Sequence, residues 1–227
     1  MSTFFISGID TGIGKTVATG MLARFLRKNG KKVITHKMVQ TGNTGFSEDI
    51  VRHREIMEVE LFPEDRDFLT APQIFSFPAS PHLAAAMDNR PLDLNRIRDS
   101  IAELEKRFDS VLIEGAGGLA VPLTEDRLTV DFIAEQGWPL ILVTSGRLGS
   151  LNHTILSIEA ATARKIRIAG VVYNTSPGAD PVIDRDSERM IRQYLLRYQQ
   201  PDLLVRMPFV EKPWPDIDFS PIFGRLP

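Results

Sequence analysis

The sequence predicts an α/β fold: one doubly wound, mainly parallel sheet with helices on both faces, covering residues 1–227 as a single domain. Three observations predict it. Short, continuously apolar runs alternate with segments of helical period along the chain. The apolar runs lack the in-and-out alternation of a half-exposed sheet, which is how strands covered on both faces read. Run after run also ends in a polar or glycine-rich stretch, the composition expected where ligands meet the carboxyl ends of parallel strands.

Thr3–Ser7 (TFFIS), Lys32–Lys37, Ser110–Glu114 (SVLIE), Leu140–Thr144 (LILVT), Ile168–Tyr173 (IAGVVY) and Leu203–Arg206 are the expected strands. Lys15–Asn29, Asp93–Phe108, Leu151–Arg164 and Asp184–Tyr198 carry the period of amphipathic helices between them. The proline-rich tail, about 211–227, is expected to be irregular and held to the body by Trp214, Phe219 and Phe223. No internal repeat or low-complexity linker marks a boundary.

Composition narrows the function classes. Lys+Arg 27 against Asp+Glu 29 gives a net charge of -2, so no basic excess points to nucleic acid and no polybasic run to a membrane surface. With Cys 0, disulfides, thiolate metal sites and cysteine nucleophiles are excluded. The start MSTFFISG turns polar too soon for a signal peptide, and no apolar run approaches membrane length, so a cytoplasmic protein is expected.

The first strand runs into GIDTGIGKT, residues 8–16. The strict phosphate-loop pattern G-x-x-x-x-G-K-[ST] places its first glycine at position 9, where Ile9 stands; the nearest glycine is Gly8. The working parts are nonetheless present. Gly12 and Gly14 let the backbone turn in close, Lys15 brings a point charge for terminal phosphates, and Thr16 brings a hydroxyl for magnesium. The helix that follows points its N-terminus at the phosphates. A dinucleotide loop is excluded because its third glycine falls on Val17 and the second strand closes on Lys37 instead of a carboxylate.

Magnesium on a triphosphate takes carboxylates as well. Glu114, ending a buried strand just before Gly115-Ala116-Gly117-Gly118, is one candidate, with a loop cap as the plainer reading. Asp49 is the second, and it reads equally as a charge at a helix start. Asp10 lies inside the loop and is placed to orient it or a substrate. Lys37, ending a strand expected inside the sheet, must either snorkel to water or face a second anionic reactant. The helix starting near Ser150 offers free N–H groups to a carboxylate, or simply has Ser150 as its N-cap. The four histidines show no metal spacing, and His36 faces away from Lys37.

Taken together these motifs resemble the dethiobiotin synthetase family. Gly8-Ile9-Asp10-Thr11-Gly12-Ile13-Gly14-Lys15-Thr16 is similar to that family's loop G-x-D-T-x-V-G-K-T, with Ile13 for valine. Lys37-Met38-Val39-Gln40-Thr41-Gly42 resembles K-P-V-x-S-G, Ser80-Pro81-His82 matches S-P-H, Glu114–Gly118 matches E-G-A-G-G, and Leu148–His153 matches L-G-x-x-N-H. The matches run in order over about residues 4 to 210.

The resemblance implies a P-loop NTPase fold and an ATP- and Mg2+-dependent ligase of biotin biosynthesis, closing 7,8-diaminononanoate with CO2 into a cyclic urea. Lys37, Lys15 and Thr11 would then be catalytic. The nucleotide would meet Gly12, Ile13, Gly14, Lys15, Thr16 and Val17 of the loop, with Asp49, Glu114, Gly115, Ala116 and Gly117 beyond it. Asn174 and Thr175, with Pro208, Phe209 and Val210, would contact its base. Thr41 and Gly118 would hold the diamine end of the substrate, and Gly149, Ser150, Leu151 and Asn152 its distal carboxylate. Thr16, Asp49 and Glu114 would hold the metal. A homodimer is implied as well. The chain departs from the pattern at Met38 for proline, Thr41 for serine and Gly12 where some members carry glutamate; Asp180–Arg192 and the tail after Val210 match no family motif. Three rival classes are a P-loop ATPase switch, weakened by the missing early lysine in SGIDTGIGK, an ammonia-using amide synthase, and a nucleotide-binding module without chemistry.

Overall fold

Apolar runs dominate the strands, and the structure stacks them into a six-stranded parallel sheet in the order Val33–Lys37, Ser110–Gly118, Ser2–Gly8, Leu140–Ser145, Ile168–Asn174, Leu204–Met207. The structure, a computed structural model, describes residues 2–175 and 180–224. The polar stretch Asn174-Thr175-Ser176-Pro177-Gly178, expected to close the Ile168–Tyr173 strand, lies outside the described residues from Ser176 on. In chain order the elements are β1 (Ser2–Gly8), α1 (Lys15–Lys28), β2 (Val33–Lys37), β3 (Gln40–Thr41), α2 (Glu48–Met57), α3 (Pro63–Arg66), β4 (Ile74–Phe75), α4 (Pro81–Met87) and α5 (Leu94–Arg107). They continue with β5 (Ser110–Gly118), α6 (Thr129–Gln136), β6 (Leu140–Ser145), α7 (Ser150–Ala163), β7 (Ile168–Asn174), α8 (Pro181–Arg197), β8 (Leu204–Met207) and α9 (Ser220–Phe223).

Each expected strand and long helix is present, with ends shifted by a few residues. Phe5 and Ile6 of β1, Leu112 and Ile113 of β5 and Leu140–Val143 of β6 are fully buried, as strands sandwiched between helices must be. The helices start on residues chosen for that place. Ser47 accepts the Ile50 N–H above α2, Asp93 accepts from Asn95 and Arg96 above α5, and Asp180 accepts from Val182 and Ile183 above α8.

Three findings correct the sequence-based expectation. The strand ending in Lys37 lies at the edge of the sheet, not inside it. That edge is covered: the Lys37 N–H donates to the Thr70 carbonyl and the Gln40 N–H to the Gln73 carbonyl, and β3 pairs with β4. The tail is not wholly irregular, since Ser220–Phe223 forms a helical turn. The short elements α2, α3, α4, α6, β3 and β4 were not expected, because segments of two to ten residues hold too few apolar positions to show a period.

The tail packs as expected. Trp214 is buried and donates its indole N–H to the Glu55 carbonyl at 3.2 Å. Phe219 is fully buried, edge-on to Phe25 with ring centres 5.9 Å apart. No helix of the described residues is long and apolar enough to cross a membrane.

Candidate nucleotide and metal site

The loop between β1 and α1 explains its own glycine spacing. A side chain at Gly8 would place Cβ 2.5 Å from Ile13 Cγ2, and Gly8 pairs with Gly118 where β1 and β5 run together. Position 9 need not be glycine, because Ile9 turns into the core at 8% exposure. Gly14 has φ +96°, in the left-handed region, and a Cβ there would meet Asn174 Nδ2 at 2.4 Å. The glycine one step early is therefore the residue that the close approach of loop to strand demands.

Behind the loop, three elements deliver oxygen ligands to one point. The Thr16 hydroxyl at the start of α1 lies 3.0 Å from Asp49 Oδ1 of α2 and 3.0 Å from Glu114 Oε1 of β5. A single hydroxyl hydrogen can serve only one of those carboxylates at a time. One hydroxyl and two carboxylates form a hard, all-oxygen set suited to a small divalent cation, so these residues fit a metal. The Lys37 ammonium reaches the same carboxylates, 2.6 Å from Asp49 Oδ2 and 2.9 Å from Glu114 Oε1, and donates to the Gly115 carbonyl at 3.3 Å. Lys15 curls back to donate to the Asp10 carbonyl at 2.8 Å.

The electrostatics follow from burial and partners. Burial pushes Lys15 down to about 8, against the pull of Glu114 and with Lys37 adding repulsion. Burial also works against a charged Lys37, but Glu114 and Asp49 outweigh it and its pKa is raised. Glu114 is fully enclosed, which alone would raise its pKa; Lys37 and His53 reverse the sign and hold it far below the usual carboxylate range. Lys37 and Glu114 thus form an ionised pair.

A cavity of about 720 Å³ opens in front of it and is lined by Thr11, Gly12, Gly14, Lys15, Thr16, Val17, Lys37, Thr41, Asp49, Glu114, Ala116 and Gly117. Those sequence-predicted residues are brought together. The others do not line it. Ile13 is packed in the core and offers its carbonyl to Asn174 Nδ2 at 2.9 Å. Gly115 sits against the Phe5 ring, and Gly118 against the backbone of Gly8. The Thr175 hydroxyl donates to the Met207 carbonyl at 3.3 Å. Among residues 208–210, Pro208 and Phe209 are exposed while the Val210 side chain is turned into the core, so only its backbone can face a ligand.

Gly149, Ser150, Leu151 and Asn152 open α7 and do not line the cavity. Here the N-cap reading fails: Gly149 is the cap with φ 91°, and the buried Ser150 hydroxyl bonds Ser145 Oγ at 3.0 Å instead of the helix end. Asp10 accepts the Thr11 N–H at 2.7 Å and pairs with Arg147 at 3.2 Å, tying the phosphate loop to the segment before α7.

Sequence reading missed His53 and Arg147, and it gave no place in the site to the wall formed by Pro78, Ala79, Ser80 and Pro81, although Ser80-Pro81-His82 is one of the matched motifs. His53 is fully buried with Nε2 2.7 Å from Glu114 Oε2. Its spacing four residues after Asp49, one helical turn along the same face, was the available signal.

Comparison with known proteins agrees with this geometry. A family model described as an AAA domain matches residues 2–212. The chain is 46% identical over 195 residues to the ATP-dependent dethiobiotin synthetase BioD 2 of Pasteurella multocida, covering 86% of this chain and 92% of that protein. It is 49% identical over 193 residues to the ATP-dependent dethiobiotin synthetase BioD of Chlorobaculum tepidum, covering 85% and 81%. Among solved structures, a ParA family ATPase from Chlorobium tepidum superposes with TM-score 0.53 at 16% identity, covering 92% of this chain and 85% of that one. The signal recognition particle receptor FtsY from Elizabethkingia anophelis superposes with TM-score 0.53 at 15% identity, covering 99% and 64%. At such identities the structural likeness speaks for the P-loop fold alone.

Proposed function

The chain belongs to the dethiobiotin synthetase family of P-loop proteins, and from that premise we infer that it forms dethiobiotin with consumption of ATP, a ligase step of biotin biosynthesis. One observation carries the assignment of roles: Lys15, Lys37, Thr16, Asp49 and Glu114 converge on one cavity, with Thr11 and Thr41 on its walls.

The substrates in this reading are 7,8-diaminononanoate, CO2 and ATP. One amine attacks CO2, loses a proton and becomes a carbamate. The carbamate oxygen takes the terminal phosphoryl group of ATP, releasing ADP. The neighbouring amine then attacks the activated carbonyl, phosphate leaves, and the second loss of a proton completes the cyclic urea. The nucleophiles belong to the substrate, so a chain with Cys 0 needs none of its own.

Lys15 and Lys37 supply positive charge where it develops on the carbamate and the transferring phosphoryl group. Lys37 is the group in reach to turn from Asp49 and Glu114 toward a reactant in the cavity. Thr11 and Thr41 hydrogen-bond the amine end. Thr16, Asp49 and Glu114 hold Mg2+, which when bound there neutralises charge on the phosphate oxygens. The distal carboxylate of the substrate lies at the N–H groups of Gly149–Asn152. Asn174 keeps Oδ1 and one amide hydrogen free of its contact with Ile13 and reads the base, with Thr175 and the backbone of 208–210 beside it. A homodimer and residues 1–227 acting as one domain belong to the same reading.

The test is phosphate release with Mg2+, ATP, isotopically labelled bicarbonate and 7,8-diaminononanoate, with mass analysis of the product. Phosphate release dependent on both co-substrates, and a labelled product heavier than the diamine by one carbonyl less two hydrogens, supports the reading. Nucleotide binding without any effect of the diamine would overturn the substrate assignment and leave the nucleotide site standing.

A further inference from the structure

We propose that His53 is a positioning residue that fixes the Glu114 carboxylate for the metal, with its own ring held in place by Thr35 and, behind it, Arg54. The inference rests on the reading of Glu114 as a metal-holding group.

The two oxygens of Glu114 have separate partners. Oε1 faces the phosphate loop and meets Thr16 Oγ1 at 3.0 Å and Lys37 Nζ at 2.9 Å. Oε2 points the other way and meets His53 Nε2 at 2.7 Å. Nothing intrinsic to a glutamate fixes its carboxylate plane, because its last torsion is broad. At 1% exposure, Oε2 without His53 would be a buried, charged acceptor lacking its partner.

A chain of buried polar groups stands behind His53. Arg54 can only donate, and its Nη1 lies 2.7 Å from Thr35 Oγ1. Thr35 therefore accepts from Arg54, and its oxygen also lies 3.0 Å from His53 Nδ1. The Glu114 carboxylate, held ionised beside Lys37, can only accept, so His53 Nε2 bears a hydrogen and donates to it at 2.7 Å. Arg54 is itself clamped: Nε and Nη2 each reach the Asp65 carboxylate at 2.8 Å, and the guanidinium lies 4.9 Å from the centre of the Phe62 ring. Every member of this chain is buried. It runs from α3 through α2 and β2 to the middle of β5, which carries Glu114.

Helix α2 thus does two jobs from one face. Asp49 reaches the metal position directly, and His53, one turn later, steadies the second carboxylate from behind. A purely structural histidine would need only to fill space and satisfy Thr35.

Two isosteres separate the roles. His53→Asn places an amide where Nδ1 is and keeps the Thr35 contact, but falls short of Glu114. His53→Gln places an amide N–H where Nε2 is and keeps the Glu114 contact. The measurement is Mn2+ affinity in the presence of ADP, read from the electron paramagnetic resonance signal of free Mn2+. Melting temperatures and the Mg2+ concentration for half-maximal turnover are read on the same proteins, with Glu114→Gln as reference. The expected result is Mn2+ binding weaker by about 10-fold or more in His53→Asn, the range for loss of a group supporting a metal ligand. His53→Gln is expected to recover most of that affinity, with the KM for ATP moving less than the Mg2+ requirement. Equal Mn2+ affinity in both variants and the wild type overturns the proposal, as does equal weakening in both that simply follows their melting temperatures. If Glu114→Gln weakens Mn2+ while His53→Asn does not, only the role of His53 falls. If Glu114→Gln leaves Mn2+ binding unchanged, the metal reading of Glu114 falls and the proposal with it.

Discussion

His36 and Lys37 are neighbours on β2 and equally sealed from water, yet they belong to opposite kinds of chemistry. His36 is fully buried on the side of α5, where its Nε2 meets Ser100 Oγ at 3.0 Å. The Ser100 hydroxyl donates to the Ile97 carbonyl at 2.8 Å, so the histidine must be the donor to Ser100, and its buried Nδ1 has no partner among the described residues. Burial alone sets its behaviour and pushes its pKa down to about 3. Lys37, at 5% exposure, faces the other way into Asp49 and Glu114, and there the partners overcome burial and raise its pKa. Strand alternation sends adjacent residues to opposite faces. What stands opposite, not depth, then decides whether a buried titratable group is a neutral packing piece or a charged working part.

The sharpest way to break that contrast is at Lys37. Lys37→Gln is expected to lower kcat for diamine-dependent phosphate release by about 100-fold or more, the scale for loss of one group stabilising developing charge. ATP binding, followed by calorimetry, should persist through Lys15 and the loop. A variant with undiminished turnover would leave Lys37 as a structural counter-ion to Glu114. A much smaller effect is expected across the strand. His36→Gln should leave kcat nearly unchanged while altering how stability depends on pH. A histidine folded with a pKa of about 3 binds fewer protons than its unfolded form, so its contribution is present above the unfolded value and lost as pH falls toward 3. At pH 5 that loss is about 2 kcal/mol for a group unfolding to a pKa near 6.5. Thermal melts at pH 7 and pH 5 should show a smaller acid shift in His36→Gln than in the wild type; equal shifts would mean that His36 takes up its proton in the folded state.

The same contrast shows what could be read from sequence. Gly8, Gly14, Lys15 and Thr16 were legible because phosphate binding is written into one continuous loop and the helix after it. Glu114 was legible as a carboxylate where an apolar run gives way to glycines. Asp49 became specific only through family resemblance, since the residue alone also suits a helix start. His53 and the Arg54–Asp65 clamp were not legible, because what gives His53 a role is Glu114, 61 residues further along the chain. Placing the Lys37 strand inside the sheet failed for a related reason. An apolar strand reads the same whether a neighbouring strand covers it or, as here, the 70–75 segment does.

The most direct measurement of the central claim is a crystal structure with ADP and Mn2+, the metal located by its anomalous scattering. The expected peak lies within direct coordination distance, about 2.0–2.3 Å, of Thr16 Oγ1 and of a carboxylate oxygen of Asp49 and of Glu114, with Lys37 Nζ displaced from the two carboxylates. A metal bound on the nucleotide away from these three residues, with Lys37 still paired to Glu114, would contradict it.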